Sequence, residues 1–279
     1  MSSFAEEHVL YRIANAVLRE HPYPHLYVED VFPADYYSAM RAHWPGTESL
    51  HTLDQYGRVP EGAYPERFAM PLDAGGIGSL PPDKQAFWGG LETWMLTDHF
   101  VRALVDKFKS HVEARFERPA AACQFECEAL VVRDRTNYAI GPHTDSPHRL
   151  LSLLFYCPDD DRRSHLGTSI YAPKDPQFRC RGGPHYPHDW FNRVVTMPYR
   201  PNSLFAFFKT DHSFHGVEKI EDADVERDVL LYDIRVPKSG PDRIVRAAQA
   251  SGGGMGLGLK LLKGLWRGRK PPSGNQENT

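Results

Sequence analysis

The apolar positions of this chain change their period once. Phe4, Val9, Ile13, Val17 and Leu18 recur at roughly helical spacing, which predicts an opening helix over residues 4–20. HPYPHLYVEDVFP follows, punctuated by prolines and carrying Leu26, Val28 and Val31, and reads as extended chain. Pro33 then stands at the first turn of a short helix, ADYYSAMRAHW, where its missing N–H costs nothing. Residues 47–82 are rich in Gly, Pro and polar side chains and read as long surface loops, the kind that often carry function. Helical period returns over residues 83–117, which predicts two helices.

After Pro119 the texture becomes short β-type runs: CQFECEALVV, NYAIG, LLSLLFY, GTSIYA, RVVTM, SLFAFF, SFHGVEKI and RDVLLYDIRV. Helices first and strands later, with no βα alternation, predict a mainly β chain with flanking helices, an antiparallel barrel or sandwich. The expected division is an N-terminal helical and loop region over residues 1–118, a β core over 119–237 and a tail over 238–279.

Composition adds limits rather than a fold. With 279 residues, 41% hydrophobic and 25% charged, the chain can bury a core without disulfide staples. Its cysteines, Cys123, Cys127, Cys157 and Cys180, are too sparse for a disulfide framework and lack CxxC spacing, so reduced thiols are expected. MSSFAEEHVLYRIANAVL has acidic residues where a secretory signal would be basic, and no 18 consecutive residues are apolar. A cytoplasmic location is the expectation.

Charge is uneven. From Lys238 on, eight Lys and Arg face only Asp242 and Glu277. A chain of net charge −3 thus divides into a tail of +6 and an acidic remainder of −9, which argues against a nucleic-acid partner. In the tail, Met255, Leu259, Leu262 and Trp266 fall on one helical stripe and Lys260, Lys263, Arg267 and Lys270 on another. That pattern suits a peripheral membrane contact through residues 255–270, which would leave the protein cytoplasmic at the membrane surface. Five glycines from 254 to 268 favour a disordered basic tail instead.

Candidate chemistry begins at GPHTDSPHR. His143 and Asp145 stand two apart beside β-type runs, so both can converge on one point from a strand end. A third ligand is His215, after the run SLFAFF and bracketed by Phe214 and Val217. His212 competes for the place, but three residues away on a strand it points to the opposite face. Two histidines and one carboxylate occupy one face of an octahedral Fe(II) and leave three positions open; Zn(II) accepts the same donors. Arg227 follows His215 by twelve residues and could hold a carboxylate through two parallel hydrogen bonds. Arg235 shares its strand face but lies about 26 Å further along at about 3.3 Å per residue.

The stretches YAIGPHTDSPHRLLSLLFYC, LGTSIYAPK and PNSLFAFFKTDHSFHGVEKIEDADVERDVLLYDIRV resemble the Fe(II)/2-oxoglutarate-dependent dioxygenases, in their prolyl-hydroxylase-like branch. The resemblance covers roughly residues 125–236. It implies a double-stranded β-helix (jelly-roll, cupin-like) core and His143, Asp145 and His215 as iron ligands. It also implies that Arg227 pairs with the distal carboxylate of 2-oxoglutarate and that Tyr138 helps to hold this cosubstrate. The implied activity consumes O2 and 2-oxoglutarate, releases succinate and CO2, and most often hydroxylates a C–H bond. The carboxylate of Asp145 favours that outcome over halogenation.

The loop KDPQFRCRGGPHYPHDWFNR offers Arg179, Arg181 and Trp190 as substrate contacts in a lid, with His148 beside the metal motif. His185 and His188 in the same loop are too common a pairing to argue a second metal. The substrate expected is a small molecule, a metabolite or a saccharide. Two rival readings keep the same triad: a non-catalytic metal-binding jelly-roll module and a zinc hydrolase. Neither has a use for a dicarboxylate clamp at Arg227.

Overall fold

A computed structural model describes residues 2–237; the tail's helical stripe lies outside the described residues. Helix α1 (Ser2–Ala14) is shorter than the residues 4–20 its pattern suggested. Strand β1 (His25–Val28) and helix α2 (Ala34–Ala42) follow, with Pro33 just before the helix.

Two expectations need correction. Residues 47–82 are not only loops: they hold β2 (His51–Thr52), β3 (Arg67–Pro71) and the short α3 (Ala74–Gly78). A five-residue strand ending in proline is too short to show a period, and pairing with a longer neighbour supplies its definition. Residues 83–117 form three helices rather than two: α4 (Pro82–Met95), α5 (Asp98–Lys107) and α6 (Lys109–Phe116). The first break is at Thr97, whose hydroxyl accepts from the Phe100 N–H at 3.2 Å and caps α5. The second is at buried Phe108, whose ring stacks on Phe208. Apolar period alone does not register breaks of one or two residues such as these.

The later strands are β4 (Glu126–Arg135), β5 (Ile140–His143), β6 (Arg149–Tyr156), β7 (Ser169–Pro173), β8 (Phe191–Thr196), β9 (Ser203–Phe208), β10 (His215–Val217) and β11 (Glu226–Arg235). Their antiparallel pairing is nested: β4 with β11, β5 with β10, β6 with β9, β7 with β8. The chain is therefore one long ribbon, rolled so that its rungs fall alternately in two sheets. One sheet runs β1-β9-β6-β11-β4-β3-β2 and the other β5-β10-β7-β8. This is a double-stranded β-helix, with N-terminal strands extending the larger sheet at both edges.

Alternation divides β11 between two cores. Leu230, Tyr232 and Ile234 join the helix-facing cluster with Trp88, Phe100 and Leu104. Val229 faces the space between the sheets with Val132, Tyr156 and Phe205. Leu231, Asp233 and Arg235 share that inward face further along and line a cavity of about 590 Å³, well within the size range of ligand sites. Among the described residues no helix is long and apolar enough to cross a membrane.

Candidate metal and cosubstrate site

The ribbon's second rung makes the site. β5 and β10 pair with His215 directly opposite His143, two positions 72 residues apart in sequence. The approach is close: a Cβ on Gly216 would sit 2.5 Å from the Ile140 carbonyl oxygen, so only glycine permits it. The two imidazole centroids are 4.4 Å apart. Asp145, just beyond the end of β5, brings its Oδ2 to 3.8 Å from His215 Nε2. One donor atom from each of the three residues lies within 4.8 Å of the others. His212 is not on the cavity wall.

Each histidine is held the same way. Nδ1 of His143 lies 2.9 Å from the Gly141 carbonyl, and Nδ1 of His215 lies 3.0 Å from the Ser213 carbonyl. A carbonyl can only accept, so each Nδ1 carries the proton and each Nε2 keeps its lone pair. Burial favours the neutral rings, lowering His143 to about 4 and His215 below its ordinary value. Burial works against charge on Asp145, but Arg149, both histidines and the Ser152 hydroxyl outweigh it and hold the carboxyl well below its usual range. Ser152 donates to Asp145 Oδ2 at 2.7 Å. The result is two neutral imidazoles and a carboxylate ready to bind a divalent metal without losing protons.

The cavity's two ends differ. At the inner end, Arg67 of β3 lines the wall and grips Asp134 with two hydrogen bonds of 2.6 and 2.9 Å. Arg227 is 0% exposed and behind the wall. It donates to the same Asp134 at 2.6 Å and to the Leu166 carbonyl at 2.6 Å. Its Nη2 lies 3.4 Å from the hydroxyl of Thr168, which does reach the wall. Two guanidiniums thus share one carboxylate. Tyr138 lies under the Arg67 guanidinium at 4.3 Å, and its buried hydroxyl has no partner among the described residues.

At the outer end, Arg149 bridges Asp145 at 3.4 Å and Asp233 at 2.7 Å. Arg58 and Arg235 both pair with Glu128.

The loop over residues 174–190 roofs the cavity through Gly182, Gly183 and His185. Gly182 has φ +131°, and a Cβ there would lie 2.5 Å from the Asp145 carbonyl oxygen, so glycine lets the loop press on the ligand turn. Across the opening, the Tyr64 hydroxyl meets His185 Nε2 at 3.0 Å. The side chains expected to contact substrate are elsewhere. Arg179 donates to the Pro176 and Phe178 carbonyls, Trp190 stacks on Tyr186, and neither they nor Arg181 and His148 line the cavity.

Arg67, Arg149 and Asp233 were not singled out from the sequence. A signal existed for Asp233, which lies six residues after Arg227 and so on the same strand face. Arg67 had none, because its strand was read as loop.

No family model matches the chain, and no curated protein is significantly similar to it. Among solved structures it is similar to a prolyl-4-hydroxylase of Pseudomonas putida, at 15% identity over 85% of this chain and 99% of that one, with a TM-score of 0.43. It is also similar to the non-heme alpha-ketoglutarate-dependent carbocyclase SnoK of nogalamycin biosynthesis, at 14% identity over 87% and 92%, TM-score 0.47. A third is HygX of Streptomyces hygroscopicus, solved with nickel and 2-oxoglutarate, at 12% identity over 77% and 83%, TM-score 0.44.

Proposed function

We propose that this chain is an Fe(II)- and 2-oxoglutarate-dependent oxygenase acting in the cytoplasm on a small metabolite or saccharide, hydroxylating a C–H bond. The observation that carries the reading is the donor set: two neutral imidazoles and one carboxylate converging inside a double-stranded β-helix, at a cavity with an uncompensated positive charge at its inner end. Three protein donors on one face suit Fe(II) with positions left for other ligands.

His143, Asp145 and His215 would hold the iron. Bound iron with 2-oxoglutarate and O2 supplies the oxidation, one oxygen atom going to the substrate C–H and one to succinate as CO2 leaves. The chain's own part is placement. A dicarboxylate chelating at the triad would extend its far carboxylate toward Arg67, with Arg227 adding charge from behind Asp134 and the unpartnered Tyr138 hydroxyl free to donate. Leu130, Ile140, Leu154, Phe207 and Val217 form an apolar belt between the two ends, which strengthens those electrostatic contacts by excluding water.

The test needs no substrate. Fe(II) is added anaerobically to metal-free protein, 2-oxoglutarate is titrated, and the visible metal-to-ligand charge-transfer band is recorded. The band is expected in wild type and absent in His215→Ala. Tightly held zinc with no band would return the triad to a zinc hydrolase or a non-catalytic module.

A further inference from the structure

A carboxylate can bind a metal through one oxygen or through both, and at this site the difference has consequences. Two imidazoles and a one-oxygen carboxylate leave three positions of an octahedron open. A carboxylate that chelates leaves two, and a chelating 2-oxoglutarate would fill both. Asp145 is buried, so its mode of binding is set by the side chains that hold it.

Its two oxygens are held differently. Oδ2 is the oxygen nearest His215, 3.8 Å from Nε2, and the Ser152 hydroxyl donates to it at 2.7 Å. A carboxylate oxygen has two lone pairs, so one remains on Oδ2 for a metal. Oδ1 faces Arg149 instead, whose Nη1 lies 3.4 Å away. The same Nη1 donates to the Ser152 oxygen at 3.5 Å, which closes a ring of three side chains around the carboxylate.

The fold fixes this ring from two sides. Ser152 stands opposite Asp233 in the pairing of β6 with β11, and Asp233 takes Arg149 Nη2 at 2.7 Å. One guanidinium nitrogen is therefore tied to β11 while the other faces Asp145. From α6, Arg115 donates to the carbonyls of Pro147 and Arg149 at 2.6 and 2.9 Å. The Arg149 N–H also bonds the Ser146 carbonyl at 3.0 Å. The turn that carries the ligand and the arginine that faces it are thus bound into one unit.

We propose that Arg149 and Ser152 are positioning residues that hold Asp145 as a one-oxygen ligand. Oδ2 goes to the metal, Oδ1 is withheld, and the third open position stays free. Both residues act through Asp145. The inference rests on the oxygenase reading for the use of that position; the ligation itself needs only a divalent metal.

Co(II) in place of iron reads this out without turnover. Crystals of the full chain loaded with Co(II) are expected to show Asp145 bound through Oδ2 alone, with Oδ1 on Arg149. In Arg149→Met both oxygens should move onto the metal. Co(II), titrated by its visible bands, should then bind no more weakly than to wild type, because it gains an oxygen and loses a nearby positive charge. Titrated against the same bands, 2-oxoglutarate should bind about tenfold more weakly or worse. A merely structural residue would weaken metal and cosubstrate together on removal. Ser152→Ala should weaken Co(II) about 10–100-fold, and Ser152→Thr, which keeps the hydroxyl, should restore it. Both Asp145 oxygens on the metal in wild type, one alone in Arg149→Met, or an unchanged Co(II) affinity in Ser152→Ala would overturn the proposal. The first of these does not depend on any variant folding. The Fe(II)/2-oxoglutarate band separates the two readings: one-oxygen ligation in wild type without the band removes the oxygenase assignment and leaves this one standing.

Discussion

The two ends of the cavity are built from the same materials and behave differently. Each joins β4 to β11 through arginines and carboxylates. At the inner end Arg227 stands opposite Asp134, and at the outer end Asp233 stands opposite Glu128. Inside, Arg227 is fully enclosed, lies beside the rings of Tyr156 and Tyr199, and spends its donors on Asp134, the Leu166 carbonyl and Thr168. Outside, Arg149 Nε and Asp233 Oδ1 are each buried and without a partner among the described residues. The inner end carries excess charge with its guanidiniums fixed; the outer end is neutral with unmet hydrogen bonds. An excess of fixed positive charge favours an anion, and a balanced set of charges does not.

That contrast can be broken at either end, and the largest effect is expected inside. Arg227→Met should destabilise the fold by about 3–5 kcal/mol, the cost of removing one partner from a buried ion pair. Chemical denaturation would show it, and a change under about 1 kcal/mol would mean that Arg67 alone satisfies Asp134. Arg67→Met should leave the protein folded but weaken 2-oxoglutarate about 10–100-fold, as expected for losing a charge-assisted contact of about 1.5–3 kcal/mol. An unaltered titration of the charge-transfer band would move the clamp away from this end.

At the outer end the expected effect is a pH dependence. Burial raises Asp233 to about 6, against the pull of Arg149. The folded protein then binds this proton more tightly than the unfolded chain, so stability falls as pH rises from about 4 to about 6. Asp233→Asn carries no such penalty. In metal-free protein it should gain about 1–2 kcal/mol over wild type above pH 6 relative to its difference below pH 4. Thermal melts across that window check the sign, and a wild type that gains on the variant with rising pH would contradict it. Smallest of all, Tyr138→Phe should weaken 2-oxoglutarate only about 2–10-fold, the worth of one hydrogen bond. No change would leave the unpartnered hydroxyl without this role.

The triad was legible because it is written locally. HxD at a strand end places two ligands by the two-residue period alone, and FHGV marks the third by bracketing a histidine with apolar residues. The sheet was legible for the same reason: each run expected as a strand contributes residues to one of β4–β11. Arg227 was recognisable as an inward-facing arginine on the returning strand, but whether it touches the cavity depends on Asp134 and Leu166, which are remote in sequence. Arg67 was invisible because a five-residue strand ending in proline has no period to read. The loop over residues 174–190 reaches the cavity, and the residues that line it are Gly182, Gly183 and His185 rather than Arg179, Arg181 or Trp190. Side-chain direction in an irregular loop follows no period.

By itself, then, the sequence determined what repeats or sits within a few residues: strand faces, helix stripes, the HxD pair and the acidic body with its basic tail. The tertiary structure alone decided which charges meet. Rolling one long ribbon into two sheets sets Arg67 and Arg227 on one carboxylate and Arg149 between Asp145 and Asp233. Apart from Arg149 and Asp145, four residues apart, those neighbours lie 67 to 93 residues apart in sequence. Strand register, fixed by burying one apolar face of each strand, is what converts such distant positions into one site.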